Sequence, residues 1–388
     1  MNIKELAKKY EQYTIDMRRE FHMNPELSMQ EVKTANRIKE ELTKIGVAYE
    51  SIGDSGVVAT IKGKNPGKTI ALRADIDALE VNEVRDVPYK SKNEGVMHAC
   101  GHDAHGAMLL GAAHVLNELK DELKGTVKLM FQPAEEVAQG AKALIAGGVL
   151  DGVDEVFGMH VMGNFPTGKI AVGAGPRMAS ADMFKITVKG VGGHGSMPNL
   201  GVDALVAASA IVMNLQTLVS REVSPMESVV VSVGKLISGT RFNVIADEAI
   251  MEGTTRCFSY EVREQLPSAM ERIIKSTAAS YRAEAELEYN FLTAPTINNE
   301  ESTERAKKSI EKIMSKDAVV EMPKMAGSED FSEYLAIVPG TFAIVGTANK
   351  EKDTCYANHH PMFDIDEDML VNGVALHAQY AFDYLMNE

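Results

Sequence analysis

The nine residues Met97-His98-Ala99-Cys100-Gly101-His102-Asp103-Ala104-His105 hold one thiol and three imidazoles, and the run Gln132-Pro133-Ala134-Glu135-Glu136 lies further along. Thiolates and imidazoles are ligands for zinc-like ions, and a neighbouring carboxylate pair supplies acid/base chemistry. A closed structural zinc site takes four such ligands and needs no acid or base beside them. Here the carboxylates exceed what such a site can use, so the stretch reads as a hydrolytic metal centre. Four places offer ligands: Cys100 with His102 in one loop, Glu135-Glu136 after an apolar strand, His160 ending the strand Val156-Phe157-Gly158-Met159, and Asn358-His359-His360-Pro361 before the last helix. Adjacent side chains point apart, so one glutamate can bind metal while the other faces substrate. Tandem glutamates are also common on solvated surfaces, and a lone strand histidine is more often packed core than ligand. The functional reading rests on all four places converging. Two rivals stay open: Cys100 as a thiol nucleophile beside a histidine, and a non-catalytic binder on an enzyme fold.

The elements that must position these residues follow from periodicity. Ile3, Leu6, Ala7 and Tyr10 predict an amphipathic first helix. A second helix is expected over 28–45, ending at Gly46. Strands over 56–61 and 69–74 flank an Asn65-Pro66-Gly67 turn. A helix over 104–119, a strand over 126–132, a helix over 138–146 and a strand over 155–160 complete an α/β rhythm with a mostly parallel sheet. From about Ala181 the order becomes βαββαβ, the ferredoxin-like motif, and it reads as an insert. The expected division is 1–181 and 292–388 for a layered α/β catalytic domain, with 182–291 as an inserted α+β lid.

The 388 residues exceed one ordinary core, and 45% hydrophobic with 24% charged residues is the balance of a globular chain. A net charge of −15 repels phosphate backbones and anionic membranes, so neither nucleic acid nor membrane is an expected partner. Three cysteines cannot frame a chain this size with disulfides, which implies a reducing compartment. The charged first twenty residues lack a signal-peptide core, and no apolar run near the ~18 residues of a spanning helix is expected. A cytoplasmic location follows.

The motifs also resemble a family. Arg18-Arg19-Glu20-Phe21-His22, Leu72-Arg73-Ala74-Asp75-Ile76-Asp77-Ala78-Leu79, His98 to Asp103, Gln132 to Glu136, Gly158-Met159-His160, Gly193-His194-Gly195-Ser196, Gly253-Thr254-Thr255-Arg256, Gly327 to Phe331 and His359-His360-Pro361-Met362-Phe363 occur in this order. Together they resemble the amidohydrolase branch of the metal-dependent aminoacylase and carboxypeptidase clan, with hippurate hydrolases, N-acyl-L-amino-acid amidohydrolases and indole-acetyl-amino-acid hydrolases.

The resemblance implies two divalent ions per subunit (zinc, manganese, cobalt or nickel) on Cys100, His102, Glu136, His160 and His359, with Cys100 bridging as thiolate. It prefers His359 to His360 through the pattern His-x-Pro. It further implies Glu135 as general base, His194 as a donor to the oxyanion in its own or a partner's site, and Asn243, Arg256 and Gly327 as substrate contacts. A surface ion pair is the competing reading for Arg256. The implied reaction is hydrolysis of an N-acyl amino acid or small dipeptide, in a homodimer assembled through the lid. The implied alternative is a dipeptidase or carboxypeptidase of the same clan. Glu80, Gly163, Ala204 and Ala246 stand where relatives usually carry proline, which bears on substrate identity rather than reaction class.

Overall fold

A computed structural model describes residues 2–386 of the chain. It forms two compact units, one of residues up to Gly175 with Ile297–Pro323 and everything from Asp330, the other of Pro176–Thr296 with Lys324–Glu329. The short return 324–329 falls in the second unit, within the stretch expected to be continuous with the first. Backbone bonds tie it there: Met325 N–H donates to Arg177 O at 2.8 Å, and Ala179 N–H reaches the carbonyls of Met325 and Gly327.

In the first unit an eight-stranded sheet runs in the order Ala48–Ile52, Gly56–Lys62, Lys124–Gln132, Asn65–Asp75, Glu155–Pro166, Gly340–Ala348, Ile170–Val172, Val319–Glu321. Its four central strands, from Lys124–Gln132 to Gly340–Ala348, are mutually parallel. Strand Gly340–Ala348 is buried over all but its last residue, the pattern of a parallel strand covered on both faces. Helix His102–Glu118 is likewise apolar nearly all round and buried along most of its length. Each large side chain so enclosed, such as Phe131 or Leu129, contributes about 1.5–3 kcal/mol.

Three expectations for the first unit need correction. The strand carrying His160 runs on to Pro166, so His160 sits mid-strand, because Gly340–Ala348 pairs with it well past that point. Asn65-Pro66-Gly67 is no turn but the start of Asn65–Asp75, with the register slipping between Asn65 and Thr69 to accommodate the proline. A further helix, Glu11–Met23, precedes Val32–Ile45.

The second unit is a four-stranded antiparallel sheet in the order Val229–Ser238, Glu248–Cys257, Ala181–Lys189, Glu284–Thr293, with helices Ala204–Thr217 and Tyr260–Ser280. Counted along the chain the strands lie 2-3-1-4, which is the ferredoxin-like arrangement. Ala204–Glu222 is long and apolar enough, by length and composition, to cross a membrane, which corrects the expectation that no run approached that length. One face of this segment explains much of its apolarity: Ala207, Ala208, Ile211, Leu215 and Leu218 are buried in the unit's core.

Candidate metal centre

Six of the predicted side chains gather in the first unit. Cys100 Sγ lies 3.3 Å from His160 Nε2 and 3.3 Å from His359 Nε2. His359 Nε2 is 3.5 Å from Glu136 Oε1, and His102 Nε2 is 3.9 Å from the same oxygen. Cys100 therefore belongs to two ligand triads, one with His102 and His160 and one with Glu136 and His359. Glu135 groups with His102 and Glu136. His360 turns elsewhere: it stacks on Tyr356 at 4.9 Å, and its Nδ1 accepts the Met362 N–H.

Local backbone geometry delivers these groups. Gly101, with φ 89°, separates Cys100 from His102 and caps the helix His102–Glu118. A Cβ there would lie 2.3 Å from Val161 Cγ2. After strand Lys124–Gln132 the chain makes a strained turn, with Ala134 and Ala138 both at φ 54°. Such left-handed non-glycine residues cost about 1–3 kcal/mol each and persist only where surroundings enforce them. The turn closes against Gly140, where a Cβ would fall 1.6 Å from the Pro133 carbonyl oxygen. His359 is a third left-handed residue, at φ 69°, held by its N–H on the Ala99 carbonyl at 2.7 Å.

Hydrogen bonds set which ring nitrogens face the cluster. His160 Nδ1 meets the Val161 carbonyl at 2.6 Å, so it donates there and Nε2 keeps its lone pair toward Cys100. His102 Nδ1 donates to Asp77 Oδ1 at 3.0 Å, leaving Nε2 to face the cluster. His105 Nδ1 donates to Asp75, and its Nε2 accepts the Val161 N–H at 2.8 Å. Asp75 and Asp77 thus orient histidines, an arrangement common around metal ligands.

The electrostatics ask for positive charge at the cluster. Burial disfavours the His102 imidazolium, yet Asp75, Cys100 and Asp77 hold its pKa well above the usual value, so without a cation a proton occupies Nε2, and a metal ion bound there would displace it. Burial pushes the Cys100 thiol up to about 12, so it stays neutral without a cation beside it. That disfavours Cys100 as a free nucleophile. His102 Nε2 and Glu136 Oε1 are buried with no hydrogen-bond partner among the described residues. Two unsatisfied donor atoms beside a sulfur and further imidazoles are what a soft or borderline divalent cation would satisfy. The residues fit the group.

Sequence reasoning left Asp75 open between capping its turn and supporting the site, and gave no role to Arg73, Gln132 or Asp330 in the layer beneath. Arg73 donates to Asp75 at 2.6 Å, to Gln132 at 2.9 Å and to Asp330 at 2.7 Å. Asp330, whose carboxyl burial pushes up to about 6, also accepts the Gln132 amide and the Ala141 N–H. Both acids and Arg73 lay inside quoted motifs, but contacts 257 positions apart leave no local signal. His98 is fully buried without a partner among the described residues, and burial lowers it to about 4.

The remaining predicted residues lie in the second unit. His194 pairs in a short ladder with Val244, next to Asn243, and its Nδ1 accepts the Ser196 hydroxyl at 2.7 Å. Asn243 Oδ1 is buried and unpartnered among the described residues. Arg256 sits on Glu248–Cys257, donating to Thr254 and to the Thr255 carbonyl, and makes no ion pair among the described residues. Gly327 offers its carbonyl to Ala179 N–H at 3.0 Å.

Residues 71–383 match the family model described as peptidase family M20/M25/M40. The chain belongs to this family. It is 42% identical over 387 residues to thermostable carboxypeptidase 2 of Saccharolobus solfataricus, covering 98% of both chains. It is 42% identical over 369 residues to N-acetylcysteine deacetylase of Bacillus subtilis, covering 95% of each. Among solved structures, the YXEP protein of Bacillus subtilis, described as a dinuclear metal binding peptidase of the M20 family, superposes with TM-score 0.87 at 38% identity. It covers 98% of this chain and all of that one.

Proposed function

We propose that this M20 member hydrolyses the amide bond of N-acyl amino acids, releasing a carboxylic acid and a free amino acid. The observation that carries the reading is Glu135 beside a thiol–imidazole–carboxylate cluster in which two ligand atoms, His102 Nε2 and Glu136 Oε1, are left without a hydrogen-bond partner among the described residues. Cys100, His102, Glu136, His160 and His359 would hold two divalent ions, of which zinc, manganese, cobalt and nickel all suit the mixed donor set. Bound there, the ions would supply an acidified water and polarise the scissile carbonyl. Glu135 takes the proton from the attacking water on its carboxylate and returns it to the departing amine. Asp77 and the Val161 carbonyl keep His102 and His160 in the tautomers that present Nε2. His194 donates to the developing oxyanion, a contribution of about 3 kcal/mol for a well-placed donor. Arg256, Asn243 and Gly327 receive the amino-acid end, the guanidinium suiting a carboxylate through its planar fork. A dimer through the second unit and a reducing, cytoplasmic setting complete the reading, the latter supported by three free cysteines.

The name of the carboxypeptidase relative favours a second reading, cleavage of peptides. Amine release from N-acetyl, N-benzoyl and indole-acetyl amino acids and from dipeptides separates the two. Glu135→Gln and chelator treatment should each reduce turnover, the former by about 10²–10⁴-fold. Chelator-resistant turnover would transfer the chemistry to Cys100.

A further inference from the structure

Glu31 stands at the N-cap of helix Val32–Ile45 yet makes no capping bond to it. Its carboxylate is fully buried and turned the other way. Oε1 accepts the Ala134 N–H at 2.8 Å and the Met29 N–H at 3.0 Å, and Oε2 accepts the Ser55 hydroxyl at 3.0 Å. Burial pushes its carboxyl above the usual range, so these donors are what make the position tenable.

Ala134 is the left-handed residue immediately before Glu135. Its carbonyl accepts the N–H groups of Gln139 and Gly140, which closes the turn on one side. On the other side its N–H goes to Glu31, from a segment 103 positions away. A small relaxation of Ala134 in φ and ψ would swing the next side chain away from its present direction.

We propose that Glu31 is a positioning residue, its carboxylate oxygen fixing the Ala134 N–H and thereby the strained turn that aims Glu135. The inference rests on the assignment of Glu135 as base. What it requires is an acceptor of this shape rather than a charge. In Glu31→Gln the amide oxygen can take both backbone N–H groups while the NH₂ donates to Ser55 Oγ. Glu31→Ala leaves the Ala134 N–H without its acceptor.

The test compares Glu31→Ala, Glu31→Gln and Ile38→Ala, the last a fully buried residue of the same helix far from the chemistry in role. Each is assayed for kcat and KM on the amide that the wild type cleaves. Amide hydrogen exchange over 133–140 is read in parallel without substrate. Glu31→Ala should lose about 10–100-fold in kcat, with KM within about threefold, since misplacement near 1 Å costs about that much. Its 133–140 segment should exchange faster. Glu31→Gln should stay within about threefold of wild type in kcat. Ile38→Ala should lose melting temperature but neither kcat nor exchange protection at 133–140. The proposal is overturned if Glu31→Ala behaves as Ile38→Ala does, or if Glu31→Gln loses as much as Glu31→Ala. Should Glu31→Ala not fold, Glu31→Asp carries the same expectation, its carboxylate withdrawn by one methylene. If the wild type cleaves no amide, the hydrolase reading falls while the exchange measurement still decides whether Glu31 holds the turn.

Discussion

Asp77 gathers three of the constraints that shape the cluster. Oδ1 takes the His102 Nδ1–H at 3.0 Å, while Oδ2 takes the Ser28 hydroxyl at 2.7 Å and the Glu136 N–H at 3.0 Å. Burial would raise its carboxyl, but His102 and Ser28 hold it below the usual range. Asp77→Asn keeps the shape and removes one acceptor. Whichever way the amide turns, its NH₂ faces either His102 or the Ser28 and Glu136 donors. Facing His102, it would favour the proton on Nε2 and remove the lone pair a metal needs. We expect metal affinity to fall by about 10–100-fold, read by titrating the chelated protein with manganese or zinc. Unchanged affinity would remove Asp77 from the orienting role. The four places that come together in the cluster were legible in the sequence as candidate ligands because each is a local combination of residue types. Asp77, ending its strand, could be read as capping a turn or supporting the site, but Glu31 and Asp330 act through bonds to backbone or side chains far along the chain, and nothing in their immediate neighbours marks that. His160 was misplaced to a strand end because nothing around it shows how far its parallel partner extends.

At the scale of elements, two helices are locked by buried charge. Arg18 and His22, one turn apart on Glu11–Met23, both meet Asp103 in the first turn of His102–Glu118, at 2.8 Å each. Arg18 also reaches Asp364 at 2.8 Å, and His22 Nε2 is 3.2 Å from Glu83. The start of the helix that presents His102 is thereby fixed. Burial would raise Asp103, but Arg18 and His22 hold it far below the carboxylate range. Its stabilisation is present above the unfolded value near 3.8 and is lost as pH falls below that. Burial and Arg18 would lower His22, but Asp103 and Glu83 raise it above 6.5. That stabilisation is complete below pH 6.5 and is lost as pH rises through the higher folded value. The melting temperature of chelated protein should therefore peak between these windows. In His22→Gln the alkaline decline should shrink, while the acid limb, held chiefly by Arg18, should weaken but persist; a wild-type-sized alkaline decline in the variant would refute the assignment. Periodicity missed helix Glu11–Met23 because its inward face is built from Thr14, Arg18 and His22 as well as Met17 and Phe21. A polar stripe satisfied by remote acids does not register as a core face.

At the scale of the molecule, the second unit leaves much apolar surface in water. Met213 is 69% exposed on helix Ala204–Thr217, Ile237 is 57% exposed on the edge strand Val229–Ser238, and Phe242 is 94% exposed. Patches of this kind mark interfaces more often than ordinary monomer surface, and an unpaired edge strand beside one invites a second copy. A C₂ dimer would use the same patch on both subunits. Met213→Glu should then shift the protein from dimer to monomer by light scattering, and an unshifted mass would place the interface elsewhere. The proposed dimer also decides where His194 acts. Two inactive variants, His194→Ala and Glu135→Gln, can be unfolded, mixed and refolded together. If His194 serves its own subunit, every site in the mixed dimer carries one defect, and activity stays at the level of the parents. If it serves the partner, the site that keeps Glu135 receives an intact His194 from the other subunit. With random pairing, half of the dimers would hold one competent site of two, so about a quarter of wild-type turnover should return. The Met213→Glu change placed in both variants should abolish that recovery. A recovery that survives it would mean the subunits meet through another surface.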